Sequence, residues 1–294
     1  MNFNDTLLRI RVLVSDGALG TELAKKGLRP GECPELLNAE NPEWVGGIAR
    51  SYGEAGSDII LTNTFGGNPV KLARYGLESR TEELNEQGAR IAVEAAGGHA
   101  AVFGSVGPTG GFLEPLGSLT ESELIAAFGR QVRALASGGA EGIVLETMTD
   151  LGEIICALRA VREHSDLTAV CSMTFDRGAR GYATMMGVTP ERAAEELDAA
   201  GADAVGANCG TGIVDIIGIA RLMRPHTRLP LWMKPNAGMP ELVEGKTVYH
   251  ESPENFAAFI PDLLDAGATI VGGCCGTTPE HIRRVRVAVD AFRD

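Results

Sequence analysis

Cys274 and Cys275 stand side by side in the stretch Gly272-Gly273-Cys274-Cys275-Gly276-Thr277-Thr278-Pro279-Glu280-His281, and Cys209 lies in Gly206-Ala207-Asn208-Cys209-Gly210. Three thiolates on one metal ion leave a fourth tetrahedral position open, which is the pattern of a catalytic zinc site and not of a closed structural one. Zinc suits such a set because its filled d shell and borderline softness accept thiolates without redox chemistry. Two other readings stand beside it. A vicinal disulfide would be strained and out of place in a reducing compartment, whereas free thiols often pack as small hydrophobes. Neighbouring side chains of a regular strand point to opposite faces, which opposes a shared ion. Gly272, Gly273 and Gly276 answer this, since they let the backbone leave the strand and turn both sulfurs one way. No Cys-x-x-Cys pair and no histidine at ligand spacing accompanies the three thiols, so spacing alone leaves the metal and buried-thiol readings open.

Of the remaining cysteines, Cys156 lies on an apolar helix face and Cys171 inside an apolar run, so both read as structural; Cys33 stays unassigned. Lys234 follows the run Leu231-Trp232-Met233, and a buried lysine at such a place can form a Schiff base. That aldolase reading would leave the cysteine cluster unexplained. His281 is expected to face solvent or cap the last helix.

The chain carries a formal charge of −13, with its acidic residues spread through helical stretches instead of gathered in a tail. Such a surface is solvated, and with no basic cluster or basic-aromatic interleaving to neutralise phosphates, nucleic acid is excluded as a partner. The opening Met1-Asn2-Phe3-Asn4-Asp5-Thr6 lacks the basic segment, apolar core and cleavage site of a leader, and no apolar run is long enough to span a bilayer. These features predict a cytoplasmic enzyme with no membrane partner. Six cysteines in 294 residues do not make the framework of a secreted mini-domain, which favours metal binding or catalysis for the adjacent pair.

The elements that must position these residues are short apolar runs, each ending in something polar. Val12-Leu13-Val14 leads to Asp16-Gly17, Ile59-Ile60-Leu61 to Thr62-Asn63-Thr64, Ala101-Val102-Phe103 to Gly104-Ser105, and Ile143-Val144-Leu145 to Glu146-Thr147. Ala169-Val170-Cys171 leads to Ser172-Met173-Thr174, Ala204-Val205 to Asn208-Cys209, Leu231-Trp232-Met233 to Lys234-Pro235-Asn236, and Ile270-Val271 to the cysteine pair. Helical spacing lies between the runs, with starts marked by Asn41-Pro42-Glu43, Thr189-Pro190-Glu191, Ser252-Pro253-Glu254 and Thr278-Pro279-Glu280. Eight buried strands alternating with helices predict an α/β fold, a single-domain (β/α)8 TIM barrel. An open doubly wound sheet is the rival, but no Gly-x-Gly-x-x-Gly fingerprint follows the first strand. In a barrel the strand ends form one mouth. Asp16, Asn63, Glu146, Asn208, Cys209, Asn236, Cys274 and Cys275 would surround it.

Six motifs occur in order: Asp16-Gly17-Ala18-Leu19-Gly20-Thr21, Thr62-Asn63-Thr64-Phe65-Gly66, Gly107-Pro108-Thr109-Gly110, Asn208-Cys209, Pro235-Asn236-Ala237-Gly238, and the glycine-flanked cysteine pair running on to Pro279. Together they resemble the homocysteine-binding barrel of the homocysteine S-methyltransferases, above all the N-terminal module of cobalamin-dependent methionine synthase, over about Leu13 to His281. The resemblance implies one homocysteine-binding barrel over residues 1–294. It places Zn2+ on Cys209, Cys274 and Cys275, with the homocysteine sulfur in the fourth position and Asn236 able to occupy that position when substrate is absent. It further implies that Asp16 and Glu146 meet the substrate ammonium while backbone N–H groups around Gly17 and Ala18 receive its carboxylate, which agrees with charge logic.

The activity so implied is methyl transfer to homocysteine, giving methionine. A free thiol with a pKa near 8.5 is mostly protonated at neutral pH, and coordination to zinc deprotonates it. The methyl donor is less well marked. No Asp-x-His-x-x-Gly corrinoid signature occurs, so methylcobalamin or another corrinoid would arrive on a separate protein, whereas a methylsulfonium compound or betaine would bind at the mouth. Betaine-using relatives carry a tyrosine directly after the equivalent of Glu146 and a tryptophan in the first loop. Here Thr147 takes that place and Gly17 to Glu40 has no aromatic residue, which speaks against a quaternary ammonium donor. The alternatives are a thiol-binding subunit of a multi-protein corrinoid system acting on another thiol, and the Lys234 aldolase.

Overall fold

Every apolar run named above supplies a strand of one barrel. The structure, a computed structural model, describes residues 12–243 and 246–293. Its eight parallel strands are β1 Leu13–Val14, β2 Ile59–Leu61, β3 Ala101–Val106, β4 Gly142–Met148, β5 Thr168–Met173, β6 Ala204–Gly212, β7 Leu231–Asn236 and β8 Ile270–Val271. From β2 to β8 each strand pairs with the next, β8 pairs with β1, and a parallel bridge from Ser15 to Ile59 joins β1 to β2. The ring is therefore closed as a (β/α)8 barrel, and the open sheet is set aside.

Side-chain alternation explains how one sequence fills both sides of the wall. Leu13, Ile59, Leu61, Phe103, Val144, Val170, Ala204, Trp232 and Ile270, drawn from every strand, form one buried cluster inside the barrel. Intervening residues such as Val14, Ile143, Cys171, Val205, Met233 and Val271 belong to the outer core beneath the helices. Two residues further along the strands, on the inner face, the filling turns polar. Ser15, Ser105, Glu146, Ser172 and Lys234 lie beyond Leu13, Phe103, Val144, Val170 and Trp232, and all five are buried. The apolar layer thus plugs the barrel, and the polar layer is the floor of its mouth. On β6 the position after Ala204 on this face is Gly206, where an added Cβ would lie 1.8 Å from the Trp232 carbonyl oxygen. Only glycine lets β6 approach β7 there.

The main helices are α1 Pro42–Glu54, α2 Thr81–Ala96, α3 Glu121–Ser137, α4 Leu151–His164, α5 Pro190–Ala199, α6 Ile213–Met223 and α7 Pro279–Arg293, with two short helices, Pro253–Ala258 and Ile260–Asp265, before β8. Thr189 and Ser252 cap their helices as expected, accepting from the N–H groups of Arg192 and Asn255. Asn41 does not: its side chain makes no cap hydrogen bond. Its main chain already closes the short helix Leu37–Glu40, with its N–H bonded to the Leu37 carbonyl, and this fixes the residue before α1 can use it. Two exposed-edge hairpins, Asp176–Gly178 with Gly181–Ala183 and Glu241–Val243 with Lys246–Val248, follow β5 and β7. Their strands are three residues long, and Leu242 and Val243 of the second are exposed, so neither hairpin stood out in the sequence pattern. Among the described residues no helix is long and apolar enough to cross a membrane, and Met1 to Thr6, read above as lacking a leader, lie outside them.

Candidate functional site

The ends of β6 and β8 bring three sulfurs together. The Sγ atoms of Cys209, Cys274 and Cys275 lie within 4.8 Å of one another, with 4.0 Å between Cys209 and Cys275. Thiolates bound to one zinc at about 2.3 Å stand about 3.8 Å apart in a tetrahedron, so the cluster already has the span of a single ion. Local backbone explains the convergence. β6 breaks register between Asn208 and Gly212, where Cys209 takes a φ of 59° and Gly210 one of 62°. The bulge takes Cys209 out of the strand alternation. Beyond β8 the Cys274 N–H donates to the Pro235 carbonyl at 2.7 Å, the Ala237 N–H donates to the Cys275 carbonyl at 2.9 Å, and Gly276 turns the chain at a φ of 81°. The main chain is thereby pinned to the end of β7, and both side chains are left to face Cys209.

All six cysteines are free thiols, so Cys274 and Cys275 form no vicinal disulfide. Hydrogen bonds from Cys274 and Cys275 favour the Cys209 thiolate and lower its pKa to about 3; the same interaction pushes Cys274 well up and Cys275 up to about 11. Left to themselves, the three groups favour one thiolate at the expense of the other two. A cation among them is what permits all three to ionise. Asn236 stands beside them: it hydrogen-bonds Cys209, its Nδ2 reaches the Gly210 carbonyl at 3.5 Å, and its Oδ1 is buried with no partner among the described residues. A buried carbonyl oxygen without a donor costs roughly 1–3 kcal/mol. Three sulfurs and this orphaned oxygen make a donor set that fits a metal ion.

A cavity of about 390 Å³ opens beside the cluster, with the three cysteines in its wall and Asp16, Glu146 and Lys234 on its floor. Gly17 and Ala18 of the first loop also line it. Asn236 and Asn208 do not; both are buried behind it. Asp16 is occupied internally, since Oδ1 accepts from Lys234 Nζ at 2.6 Å and Ser15 Oγ at 3.2 Å while Oδ2 accepts the Leu61 N–H at 2.8 Å. Lys234 is only 2% exposed, and an ammonium held by a carboxylate is no amine nucleophile, so the aldolase reading gains nothing from it. Glu146 accepts a hydrogen bond from Ser105 Oγ, and burial pushes its pKa up against the opposing pull of Lys234 and Ser105. The Ala18 N–H, expected to receive a carboxylate, here donates to Thr277 Oγ1 at 3.1 Å.

Residues 13–289 match the family model of the homocysteine S-methyltransferases. The chain belongs to that family. The methionine synthases of Mycobacterium tuberculosis and Mycobacterium leprae are 33% and 32% identical to it over 96% and 97% of this chain. The chain spans about a quarter of the length of these curated relatives, 25% in each case. The metallated form of the homocysteine methyltransferase MmuM from Escherichia coli superposes with a TM-score of 0.81 at 24% identity, covering 96% of this chain and 98% of that one. At that identity the likeness speaks for the barrel alone.

In this homocysteine S-methyltransferase family member, three site features escaped the sequence pattern. Ser105 was within reach of it, since Phe103 points inward and the residue two further on must do the same. The internal pairing of Lys234 with Asp16 needed the closure of the barrel. Tyr249, which follows the second hairpin and hydrogen-bonds Cys275, had no signal in a polar loop. Cys33 is now placed: it is buried, donates to Glu35 at 3.2 Å, and burial raises its pKa to about 12. His281 caps and does not face solvent, with Nδ1 accepting the Thr278 N–H at 3.2 Å and Nε2 3.1 Å from the Glu251 carbonyl.

Burial holds the His281 pKa below the ordinary 6.5, so the unfolded chain takes the proton more readily than the native one. Native stability should therefore fall as the pH drops from about 6.5 through the depressed pKa. Thermal unfolding followed from about pH 7 to pH 5 is expected to show a shallower decline for His281→Gln than for wild type. Parallel declines would assign the pH dependence to other groups.

Proposed function

We propose that the chain transfers a methyl group to the thiolate of homocysteine, giving methionine, with zinc held by Cys209, Cys274 and Cys275. One observation carries the reading: a single cavity has three sulfurs in its wall and the buried carboxylate of Glu146 on its floor, a match for the thiol and ammonium of one small amino acid. Zinc bound to the cysteines would supply a substrate thiolate at neutral pH. The residues of the chain do the rest. Glu146 meets the substrate ammonium with Asp16 behind it, and because Lys234 offsets one of the two carboxylates, the floor keeps one negative charge for one ammonium. Backbone N–H groups around Gly17 and Ala18 receive the substrate carboxylate, the Ala18 N–H giving up its bond to Thr277 Oγ1 to do so, and Asn236, whose oxygen beside Cys209 has no partner among the described residues, completes the donor set when substrate is away.

The donor in this reading is a methylated corrinoid or a methylsulfonium compound. The sulfur lone pair forms the new S–CH3 bond as the bond from methyl carbon to donor breaks, and the donor leaves with that electron pair. The naming of the mycobacterial relatives as methionine synthases supports the product, and three free thiols in one site are in keeping with a reducing compartment such as the cytoplasm.

Zinc analysis of purified protein, followed by homocysteine methylation with methylcobalamin, a methylated corrinoid protein and a methylsulfonium donor in turn, tests the reading. About one zinc per chain and methionine from any donor is the expected result. Zinc-loaded protein that makes no methionine with any of the three would overturn it.

A further inference from the structure

We propose that Asn208 is a positioning residue that sets both ends of the site, holding Glu146 through Thr147 and steadying Cys274 through the same amide. The proposal rests on the reading of Glu146 as the ammonium carboxylate. β4 breaks register between Leu145 and Met148, and Thr147, directly after Glu146, takes a φ of 59°. A β-branched residue in the left-handed region costs roughly 1–3 kcal/mol and persists only where its surroundings enforce it. The enforcing group comes from β6. Asn208 is fully buried; its Oδ1 accepts the Thr147 N–H at 2.9 Å and Ser172 Oγ at 2.7 Å, and its Nδ2 donates to Thr147 Oγ1 at 2.7 Å. The same nitrogen lies 3.8 Å from Cys274 Sγ.

An amide has two acceptor sites and two N–H groups, and Asn208 uses all four. Two of them grip the main chain and the side chain of one strained residue, which fixes the bulge that aims Glu146 into the mouth. The fourth reaches a sulfur of the cluster. Cys209, the next residue, is the other non-glycine residue at positive φ among those described. The two bulges of the site are thus locked to each other by one side chain, and the distance from carboxylate to thiols is built into β4 and β6 together.

The test uses cobalt-loaded protein, in which the sulfur-to-metal absorption band reports both the cluster and homocysteine binding without any methyl donor. Asn208→Ala is expected to weaken homocysteine binding about tenfold, the worth of a buried hydrogen bond lost. Thr147→Gly should lose less affinity than Asn208→Ala, because glycine adopts positive φ unaided and keeps the main-chain N–H that Asn208 Oδ1 accepts. The double variant should regain most of the affinity lost by Asn208→Ala. The band itself, before homocysteine is added, should move in both variants lacking Asn208 and stay in place in Thr147→Gly. Wild-type affinity in Asn208→Ala, or a double variant no better than it, would overturn the amine half; an unmoved band would overturn the sulfur half. Should Asn208→Ala fail to fold, Thr147→Val stands in, since it keeps the branched side chain and loses the oxygen that Nδ2 holds. It should weaken binding more than Thr147→Gly does, and equal effects would count against the proposal. A wild-type protein that shows no response to homocysteine would sink the Glu146 reading instead, while the band shift still decides whether the amide acts on Cys274.

Discussion

Replacing Cys275 with alanine should remove the metal and the methyl transfer together. With three sulfurs within 4.8 Å of one another, the loss of one leaves two thiols and the Asn236 oxygen to hold a dication. Losing a mere outer-shell partner costs about 10–100-fold in metal affinity, so losing a ligand should cost more, and zinc should fall to a small fraction of one per chain after dialysis. Methionine formation should drop by more than about 100-fold, because without the ion the substrate thiol stays mostly protonated. Cys156→Ala is the fitting control, since that thiol is buried away from the cluster. Ligand binding to the native state raises its stability, so zinc should raise the unfolding temperature of wild type and of Cys156→Ala, and fail to raise that of Cys275→Ala. Full zinc and full activity in Cys275→Ala would refute the site.

Glu146→Gln should separate substrate binding from metal binding. The isosteric amide removes the charge that faces the ammonium, and truncating a buried charge pair typically costs 2–5 kcal/mol, or about 30- to 4000-fold in KM for homocysteine. Zinc content should stay at the wild-type level. The pH profile gives a second reading. Burial pushes the Glu146 pKa above the ordinary carboxylate range, and only the ionised form holds an ammonium. Wild-type affinity should therefore fall on the acid side sooner than an ordinary carboxylate would allow, whereas the KM of Glu146→Gln should lack that limb. An unchanged KM in the variant would take Glu146 out of the ammonium subsite.

Strand positions were legible because each strand of a closed barrel is buried on both faces and must read as a short apolar run, whatever the helices do. The polar residue ending each run was legible for the same reason, since the barrel stops being apolar where its mouth begins. Eight residues could thus be assigned to one mouth before any geometry was known; Asp16, Asn63, Glu146, Cys209, Cys274 and Cys275 line the cavity there, and Asn208 and Asn236 do not. Family membership was legible in motif order. The helix start at Asn41 was legible too; the absence of its side-chain cap and the position of Tyr249 were not, because a cap bond and a loop contact depend on where the preceding backbone has already been committed.

What only the tertiary structure decided is the direction of side chains at the strand ends. Alternation alone would send Cys274 and Cys275 to opposite faces; the turn at Gly276 and the main-chain bonds to Pro235 and Ala237 bring them to one side. The resemblance gives Asp16 and Glu146 the same part toward an ammonium, yet closing the barrel sets Lys234 of β7 against Asp16 at 2.6 Å and leaves Glu146 as the carboxylate without a direct cationic partner among the described residues. Residue types are local and survive in one dimension. Which of two neighbouring charges is already paired, and which of two adjacent sulfurs turns inward, depends on strands far apart in sequence, and those relations exist only once the ring has closed.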